Sequence, residues 1–164
     1  MSSSKATPAS RLGDLAWSKS PRTSSELFTL TYGSLVTFLL TLHPPSVVSE
    51  KLFSIGESIG SRLIDDYLSK TRQLSSSPPQ CSSFGMTAEA VSKTGMKMFL
   101  NATATHEALP EGDGYEIHIK NNPLTSHLEL PPGMPLVYSN VIGGCVQGCL
   151  KSAGWEGVEV EVVE

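Results

Sequence analysis

The sequence predicts a two-layer α+β domain, with helices packed on one face of a small antiparallel sheet in the order ααα-ββ-α-β. Two observations predict it. Apolar residues recur with a period near 3.6 in three stretches before residue 101 and again near 137–150. Around 115–120, 128–130 and 158–162 the period drops to 2, leaving one apolar and one polar face, as in an antiparallel sheet covered on one side.

The first 23 residues are serine-rich and mildly basic, with no repeating apolar face. They are expected to be a disordered tail rather than an organellar transit peptide, and residues 24–164 a single domain. The first helix is expected to start at Ser24 or Ser25, with the Ser24 hydroxyl as its cap, and to stop at His43-Pro44-Pro45. Leu27, Leu30, Leu35, Phe38 and Leu42 lie on one side of it; Phe28, Tyr32, Val36 and Leu39 lie on another. A helix apolar on two sides is buried on two sides, and so small a domain can cover one. A partner subunit is expected on the other. The apolar stretch from Leu27 to Leu42 is about 16 residues and is interrupted by hydroxyls, short of the ~20 that a membrane span needs.

The second helix is expected from Ser46 to Lys70, with Val48, Leu52, Ile55, Ile59 and Leu63 as its buried stripe. Ser75-Ser76-Ser77-Pro78-Pro79 reads as a loop. The third helix is expected from Phe84 to Asn101, with Ala88, Val91, Gly95, Met98 and Phe99 inward. A strand at 115–120, a turn at Asn121-Asn122-Pro123 and a strand around Leu128 and Leu130 follow. The last helix covers 137–148, and the last strand is Val158-Glu-Val-Glu-Val162. Glycines recur inside two helices, at 56 and 60 and at 143, 144 and 148. Each costs about 1 kcal/mol relative to alanine, a cost expected where something must approach the helix backbone closely, as in a tightly packed helical layer.

Net charge is −4, which argues against a nucleic-acid partner bound through phosphates. Cys81, Cys145 and Cys149 form no disulfide framework, and the last two are expected in the core. His43, His106, His118 and His127 have no metal-ligand spacing with them. Gly143 to Gly148 lacks the Lys and Ser/Thr of a phosphate-binding loop, since Cys149 and Leu150 stand there. Asp65-Asp66 point apart on a helix, and the sequon at Asn101-Ala-Thr103 is of a kind that occurs often by chance. No catalytic residue, metal site or cofactor is expected, and the chain is not read as an enzyme.

Several motifs occur in a fixed order: Ser24-Ser-Glu-Leu-Phe-Thr-Leu-Thr-Tyr-Gly33, Ile59-Gly-Ser-Arg-Leu-Ile-Asp-Asp-Tyr-Leu68, Lys97-Met-Phe-Leu100, Asn121-Asn-Pro-Leu124, Glu129-Leu-Pro131 and Tyr138-Ser-Asn140. Together, over residues 24–155, they resemble the subunit 3 family of the transport protein particle (TRAPP) complex. The resemblance implies a cytoplasmic scaffold subunit of a vesicle-tethering complex, peripheral at the cis-Golgi and endoplasmic reticulum. Such complexes also act as exchange factors for a Rab-type GTPase. It implies sibling TRAPP subunits as partners through helical surfaces, which assigns Leu27, Phe28, Leu35 and Phe38 to a subunit interface, with self-association expected of the isolated chain. It also implies a fatty acyl group, palmitate, on Cys81, its chain held in an internal channel bordered by Gly95 about 20 Å along the third helix at ~1.5 Å per residue. The alternative is a ligand-sensing regulatory domain of related fold that binds a small hydrophobic molecule. Family members continue past a strand like 158–162, so the chain is expected to be short at its C-terminus. They also tend to place a basic residue where Gln80 stands.

Overall fold

The computed structural model describes residues 7–76, 81–110, 112 and 114–163. Six α-helices and a two-stranded antiparallel sheet make up an α+β fold among these residues. The described residues divide into two compact units, each made of two stretches of the chain. One comprises residues 7–22 and 67–122, the other residues 23–66 and 123–163.

The first unit opens with a helix where disorder is expected. α1 (Pro8–Lys19) is capped by Thr7, whose hydroxyl accepts the Ser10 N–H at 3.3 Å, and Pro8 sits in the first turn, where its missing N–H costs nothing. It docks through small residues, burying Leu12, Gly13 and Ala16. A Cβ on Gly13 would come within 2.7 Å of the Lys93 carbonyl oxygen, so that backbone approach needs glycine. Asp14 lies 3.5 Å from Lys97. Residues 1–6 of the expected tail lie outside the described residues.

α1 packs on one nearly continuous helical rod. It begins as α4 (Phe84–Glu89), widens into a π-helical turn (Ala90–Gly95) and resumes as α5 (Met96–Leu100). In the widened turn the Met96 N–H bonds the Val91 carbonyl, five residues back. The extra residue shifts the phase. Instead of Val91, Gly95 and Phe99, the fully buried positions are Thr87, Ala88, Ala90, Ser92, Thr94, Met96 and Met98. Asn101, left-handed at φ 53°, ends α5.

The rod covers one face of the sheet, β1 (Thr103–Ala108) against β2 (Tyr115–Lys120), with Ala104 opposite Ile119 and His106 opposite Ile117. Ser92 Oγ lies 2.8 Å from His106 Nδ1, and Lys93 Nζ donates to the Ala104 carbonyl at 2.8 Å, tying rod to sheet. β2 is the expected strand. β1 is not expected, because Thr-Ala-Thr-His-Glu-Ala has no large apolar residue to mark its alternation. Residues 77–79 of the expected loop at 75–79, and Gln80 after it, lie outside the described residues.

The second unit begins with α2 (Ser25–Leu42). Ser24 caps it, accepting the Leu27 N–H at 3.3 Å, and it ends where His43-Pro44-Pro45 predicts. α3 (Pro45–Leu74) follows and supplies residues to both units. Within the second unit its buried row is Val48, Leu52, Gly56 and Gly60, four residues apart. The expected stripe shares the first two, but Ile55 is half-buried and Ile59 exposed.

The reason is α6 (Asn140–Ser152). A Cβ on Gly56 or Gly60 would overlap the carbonyl oxygen of Val141 or Cys145. Reciprocally, a Cβ on Gly144 or Gly148 would overlap the carbonyl oxygen of Phe53 or Glu57. The two backbones therefore meet directly along a seam of four glycines. Cys149 Sγ donates to the Gly60 carbonyl at 3.1 Å beside it, and Lys151 pairs with Glu57 at 2.8 Å near the C-terminal end of α6. α6 ends in a left-handed Gly154, and the Trp155 N–H returns to the Leu150 carbonyl at 3.0 Å.

Neither further strand forms. Around Leu128 the chain turns, with the Leu128 N–H bonded to the Thr125 carbonyl at 3.1 Å. At 158–162 it is held by a side chain rather than a ladder. Gln147, buried in α6, donates to the Val158 carbonyl at 2.6 Å and accepts the Val160 N–H at 2.8 Å. The alternation survives: Val158, Val160 and Val162 are half-buried while Glu159 and Glu161 are exposed.

Two predictions follow from the seam. Gly60→Ala is expected to destabilise the chain by about 1–3 kcal/mol through overpacking. Gly95→Ala, whose Cβ would meet nothing nearer than the Ala90 carbonyl at 3.7 Å, is expected to be neutral or stabilising by up to about 1 kcal/mol. Urea melts of the two variants check this. The second concerns pH. Burial first, and for Cys145 also its neighbour Cys149, pushes both thiols up to about 11 from an ordinary 9.0. A raised folded value means that the neutral thiol favours the fold. That contribution is full below pH 9 and is lost as pH climbs through about 11. Melting temperatures from pH 8 to 11 are expected to fall less steeply for Cys149→Ala than for wild type.

Candidate functional site

Two regions, one in each unit, carry the residues that the sequence singles out. In the first unit, Cys81 is half-buried two residues before Ser83, whose hydroxyl caps α4 by accepting the Met86 N–H at 3.3 Å. Gly95 closes the π-helical turn and is half-buried. Among the described residues no side chain lies within 4 Å of where its Cβ would be, so close packing against them does not explain this glycine. Between these positions the rod carries three buried hydroxyl residues, Thr87, Ser92 and Thr94. Thr94 donates to the Ala9 carbonyl at 2.9 Å.

Sequence reasoning misses the residue that adjoins them, Tyr67 of α3. Its hydroxyl oxygen is buried. Burial foremost, then the Cys81 thiol, pushes its pKa up to about 12, with Thr94 acting in the opposite direction. Its position inside the Ile59–Leu68 motif is a signal of family membership and says nothing of a hydroxyl beside Cys81.

In the second unit, three of the ordered motifs, those at 24–33, 121–124 and 138–140, converge on a clamp. Tyr32 of α2 donates to the Tyr138 carbonyl at 2.6 Å, and the two rings meet edge to face at 4.9 Å. Thr29 reaches the Pro123 carbonyl at 3.3 Å. Ser49 of α3 accepts the Val137 N–H at 2.9 Å, and its carbonyl accepts from Asn140 Nδ2 at 3.0 Å. Leu124 and Tyr138 are buried. The motifs therefore hold one face of α2, through Thr29 and Tyr32, against the 123–140 segment. The opposite face is bare: Leu27 is 60% exposed, Leu30 69%, Phe38 60% and Leu42 59%, with Phe28 and Leu35 also exposed. The structure thus separates the two apolar sides. Tyr32 and Val36 are inward and the Leu27–Phe38 side is outward. α2 is also 18 residues long with mean hydropathy 1.3, enough by length and composition to cross a membrane, where the sequence reading counts it as too short.

A groove of about 620 Å³ lies in the second unit, lined by Phe53, Glu57, Gln147, Lys151, Val158 and Val160 among others. It is open and its rim is charged, so it is no sheltered apolar slot. Among the described residues no group of three His, Cys, Asp or Glu is placed to hold a metal ion.

The family model for the transport protein particle (TRAPP) component matches residues 28–164. Transport protein particle subunit bet3 of Schizosaccharomyces pombe is 36% identical over 145 residues, covering 87% of this chain and 76% of that protein. Trafficking protein particle complex subunit 3 of Dictyostelium discoideum is 40% identical over 146 residues, covering 86% and 75%. Among solved structures, a trafficking protein particle complex subunit 3 from Naegleria fowleri, covalently bound to palmitic acid, matches with a TM-score of 0.70 at 38% identity, covering 78% of each chain. With three of the ordered motifs joined in one clamp and these matches spanning most of the chain, the chain belongs to the TRAPP complex subunit 3 family.

Proposed function

We propose that this protein is a non-catalytic core scaffold of the TRAPP vesicle-tethering and Rab-type GTPase exchange complex in endoplasmic reticulum to Golgi transport. In this reading it is cytoplasmic, peripheral at the cis-Golgi and endoplasmic reticulum, and carries palmitate on Cys81. The observation that carries the scaffold reading is the bare side of α2. An exposed apolar stripe held rigid from behind is a surface built for a partner. The inward hydrogen bond of Tyr32, which holds α2 against the 123–140 segment, favours a protein partner over lipid. Leu27, Phe28, Leu35 and Phe38 form the proposed contact with a sibling subunit.

The acylation reading rests on the half-buried Cys81, the unobstructed Gly95 and the palmitate bound to the similar Naegleria protein. A sheltered chain would contribute about 0.8 kcal/mol per buried CH₂. Cys81→Ser is expected to abolish a hydroxylamine-sensitive mass adduct of one fatty acyl group. Gly95→Leu is expected to abolish it too while circular dichroism stays unchanged. An adduct retained in full on Gly95→Leu would move the channel elsewhere. A small hydrophobic molecule released on denaturation without hydroxylamine would favour the ligand-sensing alternative.

Leu27→Asp with Phe38→Asp is expected to abolish co-purification of sibling TRAPP subunits from cells. Both positions face solvent, so folding stability should change by less than about 0.5 kcal/mol. The wild-type chain alone is expected to self-associate at tens of micromolar by light scattering and to release no nucleotide from a Rab-type GTPase. Sodium carbonate is expected to strip it from membranes; retention would mean that α2 is inserted.

A further inference from the structure

The hydroxyl of Tyr67 is an anomaly within the first unit. Its oxygen is buried and has no hydrogen-bond partner among the described residues. Buried polar atoms are nearly always paired, and an exception calls for an explanation. Two polar groups are close to it. The Thr94 hydroxyl is committed to the Ala9 carbonyl at 2.9 Å and does not meet the phenol with hydrogen-bond geometry. The Cys81 thiol is near enough to influence it electrostatically, but neutral sulfur is a weak acceptor. Burial keeps the phenol protonated to about pH 12, so it remains a donor throughout the physiological range. A buried donor with no acceptor among the described residues thus lies within electrostatic reach of a half-buried cysteine.

We propose that the Tyr67 hydroxyl donates a hydrogen bond to the carbonyl oxygen of a fatty acyl thioester on Cys81, as a positioning residue for acyl transfer and retention. The proposal rests on the reading of Cys81 as the attachment site. The Cys81 sulfur attacks the carbonyl carbon of a fatty acyl thioester carrier such as a fatty acyl-coenzyme A. A new C–S bond forms, the bond to the carrier sulfur breaks, and the carrier thiol departs with the proton that Cys81 gives up. Nothing is oxidised or reduced. The carbonyl oxygen gains negative charge in the tetrahedral intermediate, where a fixed donor acts most strongly. In the product it is a neutral acceptor that satisfies the phenol.

The test loads the whole chain with palmitoyl-coenzyme A labelled with ¹³C at the carbonyl. It compares wild type, Tyr67→Phe and Cys81→Ser. The infrared carbonyl band of wild type is expected at lower frequency than that of Tyr67→Phe, and loading is expected to slow roughly tenfold or more in the variant. Unmodified Tyr67→Phe should melt no lower than wild type, because its phenol has no partner to lose. Acylation should raise the melting temperature of wild type more than that of the variant. Identical carbonyl bands and equal acyl-induced shifts would overturn the role of Tyr67 while leaving Cys81 as the acyl site. A wild-type band at the frequency of a thioester in a dry apolar solvent would overturn it without any variant. No adduct on wild type, or an adduct that persists in Cys81→Ser, would overturn both readings.

Discussion

The second unit depends on the contact between the backbones of α3 and α6. Four glycines leave each helix room for the other's carbonyl groups, and any side chain at these points would force the helices apart. Mid-helix glycine is unfavourable by about 1 kcal/mol at each position, so the seam is stable only because close contact offsets that cost. The consequences are local and numerous. Drawing α6 onto α3 brings Asn140 within reach of the Ser49 carbonyl and Val137 within reach of the Ser49 hydroxyl. On its other side, α6 presents Gln147 to the backbone at 158–160 and leaves Gly143 open for Val162.

With α3 and the 123–140 segment fixed, α2 has a rigid support. Tyr32 and Val36 take that support and leave the Leu27–Phe38 side to solvent. A helix free to rotate would turn its apolar residues inward; the bond from Tyr32 to the Tyr138 carbonyl opposes this. Exposure of large apolar side chains is thus a fixed property of the unit. The first unit is built differently. Its widened helical turn buries Ser92 and Thr94 and gives each hydroxyl a partner, at His106 and at the Ala9 carbonyl. The proposed assembly surface lies in one unit and the proposed site of lipid attachment in the other.

Much of this was legible in residue order, for identifiable reasons. Helix ends with chemical punctuation were readable: Ser24 caps and His43-Pro44-Pro45 stops. The glycines at 56, 60, 144 and 148 were readable as sites of close approach, since nothing else explains glycine there. What they displaced was not readable. Periodicity ranks Ile55 and Ile59 above glycine, yet the glycine row is the buried one because backbone contact excludes bulk. α1 was missed because it docks through Gly13 and Ala16, which carry little hydrophobic signal. β1 was missed because a strand of threonine, alanine and histidine owes its form to pairing with β2. The widened turn was invisible because one inserted residue breaks a 3.6 period without any compositional mark. At 158–162 alternation correctly gave a half-buried extended segment and wrongly gave a ladder, since the partner is one glutamine side chain. Of the candidate sites, the α2 face was legible as excess apolar surface. The Tyr67 hydroxyl was not, since its burial within electrostatic reach of Cys81 is a product of the tertiary fold.

The central claim is that the outward side of α2 is the surface through which this subunit is built into its complex. Amide hydrogen exchange read by mass spectrometry, on the chain alone and in the complex purified from cells, tests it most directly. Peptides covering 25–42 should be strongly protected in the complex relative to the isolated chain, with those of the α3–α6 seam slow in both. Equal exchange across 25–42 in the two samples would contradict the account.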